Sequence, residues 1–269
     1  MATSARTVRV GALGKRKLRL VEKDGRFNGL VDGKKCVDGP DADDVWRQLH
    51  DDAGKADPKY FGHSGARSRF LKFFPNGFHS DGFLSQEREY KLAAKKRLDA
   101  NAPLTAALSG SGFGEAVLSA FHATNMLSPF EKTRVAGMVR GPDADAFVQA
   151  AAGFALDGTK AALLELERVL KAQDCAKWTV ATYLPFLWRP ETHMYLKPEA
   201  TKEFAVRVGH PLASLYQAQL DVDVYASLLD LVDRTANELS DLAPRDRIDI
   251  QSFIWVVGDY REDREGVYP

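Results

Sequence analysis

The chain is expected to be an α+β protein, with a small antiparallel β-meander and one helix at the N-terminus followed by a larger, mainly α-helical domain. Three observations predict this. The first fifty residues alternate basic and apolar side chains, two Asp-Gly pairs punctuate them, and from residue 64 onward apolar residues recur three and four apart. The alternation covers Thr7–Gly11 and Lys17–Val21, joined by the turn-like run Gly14-Lys15-Arg16-Lys17. Asp24-Gly25 then precedes a strand over 26–31, and Asp32-Gly33 repeats the device before Lys35-Cys36-Val37. Asp-Gly suits tight hairpins because both central residues of such a turn take a positive φ. After Gly39-Pro40, the acids of Asp41–Asp44 sit where a helix dipole favours them, and Val45, Trp46 and Leu49 share a helical face. The module is expected to span 1–52.

The breaker-rich stretch 51–63 reads as a linker to the domain 64–269. Helical periodicity covers 64–74, 85–100, 112–124, 128–139, 143–155, 158–172, 198–208, 221–239 and 246–258, with Pro129, Pro142 and Pro198 at or near helix starts. Segment 175–197, rich in aromatic and β-branched residues, reads as extended. The last residues, from Arg261, read as a solvated tail.

Lys+Arg and Asp+Glu both number 37, so the net charge is zero, which argues against a general nucleic-acid coat but leaves a local basic face open. The two cysteines are far apart and read as reduced, partly buried thiols. The N-terminus lacks an apolar signal core, and no apolar run is long enough to span a bilayer, so a cytoplasmic location without membrane contact is expected. No cofactor and no metal is expected.

Several constellations have chemical potential. Gly110-Ser-Gly-Phe-Gly114 opens a helix, yet lacks the third glycine of a dinucleotide fingerprint and the lysine of a P-loop, so a helix–helix connector is the better reading. Asp81 with Glu89-x-Lys91 has the residue types of a metal-dependent nuclease, but on a helix Glu89 and Lys91 diverge by roughly 200°, which favours a surface helix. The run containing Arg67, Arg69, Lys72, Arg88 and Lys91 interleaves basic residues with Phe70, Phe73 and Phe74. It is either a nucleic-acid or anion face, or a core stripe with a solvated basic edge. In 188–198, Arg189, His193 and Lys197 alternate and, if extended, project to one side as an anion site; capping of neighbouring helix ends is the alternative. His122, amid apolar helical residues, reads as a core or interface histidine.

Pro185-Phe186-Leu187, the run His193–Lys202 and the run Pro244–Trp255 resemble a C-terminal module of uncharacterised bacterial proteins. Similar modules accompany restriction-type proteins, including relatives of modified-cytosine-directed restriction systems. The resemblance covers about the last third of the chain. It implies a bacterial origin and a setting of DNA transactions or phage defence, with this chain as a recognition or accessory component, since Walker motifs and a nuclease core are not in it. In the second run, Asp246 is expected to cap a helix whose Ile250, Phe253, Ile254 and Val257 form a core stripe, with Asp249 and Arg245 able to pair.

The leading functional expectation is a non-enzymatic binding module that engages nucleic acid or a partner protein through Arg67, Arg69, Lys72, Arg88, Lys91, Arg189, His193 and Lys197. The alternatives are an enzyme acting on a phosphorylated or nucleotide substrate, and a protein–protein scaffold subunit.

Overall fold

Both Asp-Gly pairs take the conformation for which they were selected: Asp24, Gly25, Asp32 and Gly33 all have positive φ, which lets the two-residue turns match the twist of the strands they join. A computed structural model describes residues 5–13, 16–55 and 57–260. In it, β1 (Arg6–Leu13), β2 (Arg16–Lys23), β3 (Arg26–Val31) and β4 (Lys34–Gly39) form one antiparallel sheet in sequential order. The Gly14-Lys15 tip and the tail after Tyr260 lie outside the described residues. Helix α1 (Ala42–Gly54) starts on Asp41, whose carboxylate accepts from the backbone N–H groups of Asp43 and Asp44. It covers one face of the sheet, burying Leu13, Leu18, Val31, Leu49 and Ala53 in a small core of their own.

The module leans on the helical body rather than hanging from a linker. Ala213 packs into its core, and the backbones of Gly54 and Gly209 touch so closely that a Cβ on Gly54 would sit 2.5 Å from the Gly209 Cα. Gly54→Ala is therefore expected to destabilise the chain by about 1–3 kcal/mol, the usual range for overpacking, read as a lower urea midpoint; an unchanged midpoint would mean the two parts are not in contact in solution.

The body is built from α2 (Gly62–Phe73), α3 (Glu89–Asn101), α4 (Gly114–His122), α5 (Pro129–Val139), α6 (Ala144–Asp157), α7 (Lys160–Ala172), α8 (Pro198–Val208), α9 (Val222–Glu238) and α10 (Arg247–Asp259). Pro129 and Pro198 occupy first turns, where proline loses no hydrogen bond. Gly110–Gly114 joins two helices: the Gly112 N–H donates to Asp145 and Gly114 lies against the Val139 carbonyl.

Three expectations need correction. The segment 178–188 is helical, as Trp178–Ala181 and Tyr183–Trp188, and 175–177 and 189–197 on either side of it are irregular. Every side chain from Trp178 to Trp188 is buried, so packing on all sides outweighs the β preference of its aromatic and branched residues. His122 is exposed rather than in the core, and of the two thiols Cys36 is exposed and Cys175 buried. Among the described residues no helix is long and apolar enough to cross a membrane.

Candidate functional site

The site begins at a helical irregularity. Ser80 caps a short helix, Asp81–Phe83, by accepting from the Phe83 N–H, and the chain then widens into a π-helical turn, Leu84–Arg88, before α3. Such turns add a residue to the helical repeat and recur at functional sites. Here the turn and the start of α3 send three charged side chains inward: Glu87, Arg88 and Lys91 are 4, 6 and 1 % exposed. Glu89 stays on the surface, so the divergence of Glu89 and Lys91 holds, but the helix is not a surface helix at Lys91.

Helix α10 faces this wall. Asp246 caps it, accepting from the Ile248 and Asp249 N–H groups, and also takes a two-pronged bond from the Arg88 guanidinium at 2.8 and 2.7 Å. The same guanidinium donates to the fully buried Asp249 at 2.8 Å, and Arg245 closes the cluster on Asp249 at 2.9 Å. Burial works to raise the Asp246 pKa, but Arg88 and the helix N–H groups outweigh it and hold this carboxyl below the usual range. Fork-to-carboxylate geometry of this kind is rigid as well as strong.

One turn deeper, Lys91 donates to Ser252 Oγ at 2.7 Å and lies 3.4 Å from a Glu87 oxygen, while the other Glu87 oxygen accepts from the Tyr260 hydroxyl. Burial pushes the Lys91 pKa down, with Glu87 opposing it.

These groups border a small cleft. Gln86, Glu87, Tyr90 and Lys91 form one wall, Gln251 and Trp255 of α10 a second, and Asn125, Met126, Tyr195 and Lys197 the rest. Lys197 reaches it from the irregular 189–197 segment, with its ammonium 2.8 Å from the Met126 carbonyl and 5.3 Å over the Trp255 ring. Tyr195 donates to the same carbonyl at 2.7 Å. The cleft volume is about 70 Å³, far below the roughly 300–1,000 Å³ of sites that enclose drug-sized ligands. Gln251 is only 5 % exposed, and its side-chain oxygen has no hydrogen-bond partner, a condition buried polar atoms rarely keep without a reason.

Of the eight basic residues singled out by the sequence, Lys91 and Lys197 meet in this cleft, and Arg88 lies behind it in the carboxylate cluster. The others are dispersed. Arg67 pairs with Asp241 at 2.6 Å, Arg69 donates to the Tyr260 carbonyl and stacks over Phe73, and Lys72 is exposed in the last turn of α2. Arg189 points its guanidinium at the carbonyls of Ala155 and Leu156 at the end of α6, the capping alternative. His193 is buried between the Tyr225 hydroxyl and the Ala155 carbonyl. Phe70, Phe73 and Phe74 are fully buried, which makes them core.

Glu87, Tyr90 and Gln251 were not singled out by the sequence. Two signals bear on Glu87 and Gln251: the i, i+4 spacing of Glu87 and Lys91, and the polar run Asp249, Gln251, Ser252 inside an otherwise apolar helix; none bears on Tyr90. Among the described residues no group of three or more His, Cys, Asp or Glu side chains is placed to hold a metal ion. No family model, no curated protein and no solved structure matches the chain.

Proposed function

We propose that the chain is a binding module that recognises a small anionic group in the Lys91–Lys197 cleft. The observation that carries this is the meeting, on the walls of one cleft, of two lysines from distant parts of the sequence. Glu87 offsets the charge of Lys91, so Lys197 leaves the cleft with one net positive charge, suited to a monoanion. The ion-pair frame behind it holds the walls, so the site needs little reorganisation on binding.

The setting we propose is the one the resemblance implies, an accessory protein of the bacterial cytoplasm associated with DNA transactions or phage defence; two distant thiols, neither in a disulfide, fit a reducing compartment. A nucleic acid that enters only this cleft, by an end group, should bind with a salt slope of about one released counterion, whereas a broad basic face would show a steep slope. Arg67, Arg69 and Arg189 are engaged in bonds within the chain, which favours the shallow slope.

The direct test is calorimetric titration of the full chain with small carboxylates and inorganic phosphate. Saturable binding is expected, weakened about tenfold or more by Lys197→Gln, since hydrogen bonds to a charged partner are worth about 1.5–3 kcal/mol. Lys197 lies at the cleft rim and half-buried, so this variant should keep the fold. Binding that is indifferent to it would overturn the reading.

A further inference from the structure

The zero net charge of the chain conceals a polarity. Residues 1–39 carry ten Lys and Arg against four Asp and Glu, so the remaining residues are acidic to the same extent. The pleat divides the basic residues between the two faces of the sheet, because successive residues point to opposite sides. Leu18, Leu20, Gly29 and Val31 are buried on the α1 side. Lys17, Arg19 and Lys23 of β2, Arg26 of β3 and Lys35 of β4 therefore point away from it, and all five are exposed. The register sets Arg19 between Val10 and Leu30, and Lys23 opposite Arg26. The acid on this face, Asp38, is bonded to Arg26 at 2.8 Å and Lys35 at 3.0 Å. Lys17, Arg19 and Lys23 make no salt bridge with any described residue. On the opposite side, α1 carries Asp43, Asp44, Asp51 and Asp52, so the module has a basic front and an acidic back.

An anionic polymer complements such a front, and the composition of the face decides which. A protein partner calls for an apolar, aromatic centre, and a membrane surface for an apolar side that inserts. Val10 is the large apolar side chain exposed on this face, and Leu30 and Val21 are half-buried. Phe27, the aromatic of the sheet, shares the α1 side with Gly29 and Val31, so the front has no platform on which unpaired bases stack. Lysine and arginine only donate, which leaves little to accept from a 2′-hydroxyl, the group that marks RNA. We propose that the open face of the sheet binds double-stranded DNA along its phosphates, without reading base sequence, chiefly through Lys17, Arg19 and Lys23. From 17 to 23 the strand runs about 20 Å, a length over which a duplex presents roughly twelve phosphates. This site is independent of the cleft in the helical body.

The test is fluorescence anisotropy of the full chain with a labelled duplex of arbitrary sequence at pH 7.5. Three unpaired cations predict a slope of about −3 in log K against log salt, or about a fortyfold loss of affinity between roughly 50 and 200 mM. Lys17→Gln, Arg19→Gln and Lys23→Gln together should weaken binding about tenfold or more at low salt and flatten the slope. All three side chains are exposed, so circular dichroism should report a native fold; if it does not, Arg19→Gln alone is expected to lower the slope by about one. A charge-matched control, Lys96→Gln with Lys160→Gln and Lys177→Gln, removes three exposed lysines of the body and should bind as the parent does.

A slope near one, or an equal loss in the control variant, would overturn this inference, assigning the binding to an end group in the cleft or to net charge. Absence of saturable duplex binding at low salt would overturn it while leaving the anion cleft standing. Tighter binding of the same sequence as a single strand, of duplex RNA, of polyglutamate or of phosphatidylserine vesicles would name another partner and overturn it equally.

Discussion

Asp249→Ala is expected to cost about 3–5 kcal/mol of folding stability, enough to unfold many domains of this size. Asp249 is fully buried and receives the Arg88 guanidinium on one oxygen and Arg245 on the other. Its loss leaves Arg88, 6 % exposed, with Asp246 alone, and strands the Arg245 side chain against the Phe78 carbonyl. The penalty comes from uncompensated buried charge rather than from the value of the pair itself. An exposed pair gives the contrast: Asp43→Ala, which removes the partner of Arg9 at the surface, should move the urea midpoint little. If Asp249→Ala cost less than about 1 kcal/mol, the cluster would have to be solvated and the cleft wall mobile.

Acid is the second large effect. His50, His63 and His193 are held neutral, their pKa values pushed down to about 4, in each case chiefly by burial. The bonds of His193 show the cause locally: Nε2 faces a carbonyl and Nδ1 the Tyr225 hydroxyl, which also accepts from the Met194 N–H. The neutral ring is satisfied by these two partners, and a second proton would place a charge where burial disfavours it. In the unfolded chain these histidines titrate near 6.5. Between pH 6.5 and 4 the unfolded state therefore binds more protons than the folded one, so stability is fully present above pH 7 and falls as pH drops through that window. Each fully buried histidine contributes up to about 3 kcal/mol.

His50, His63 and His210 also share the junction between the sheet module and the body, with Arg234 adding positive charge, Asp230 bonded to His210 and Asp51 3.6 Å from Arg234. Urea midpoints at pH 7.5 and 5 should differ by several kcal/mol, and His50→Leu should flatten the profile by about one histidine's share. Hydrogen exchange at pH 5 should rise first in residues 57–61, beside the junction. A profile flat from pH 7.5 to 5 would show that these rings are hydrated in the folded chain. Carboxylates with lowered pKa, among them Asp246, Glu131 and Asp230, act in a separate window at lower pH.

The sheet module was legible because its signals are local. An Asp-Gly pair dictates its turn whatever surrounds it, and an aspartate before an apolar-periodic run can cap its own helix, as Asp41 and Asp246 do. The core stripe of Ile250, Phe253, Ile254 and Val257 followed from spacing alone and is buried throughout. The misreadings come from non-local forces. Trp178–Trp188 is helical because neighbours enclose it on every side, which propensity cannot express. Lys91 is buried because α10, some 160 residues later, brings Ser252 and Asp249 beside it, and nothing near Lys91 in sequence announces them. Convergence of Lys91 with Lys197 is a property of the packed chain, so the cleft was not visible until the helices were assembled.

The placement of the two cysteines gives the molecule a pair of clocks. Cys36 lies exposed on β4 and Cys175 is buried in the body, with its thiol pushed up by burial. A thiol reagent will mark the first at once and the second only during an excursion in which the body opens. Chains carrying one adduct and chains carrying two are thus separable populations, and their ratio over time measures how often the body comes apart without any denaturant being added.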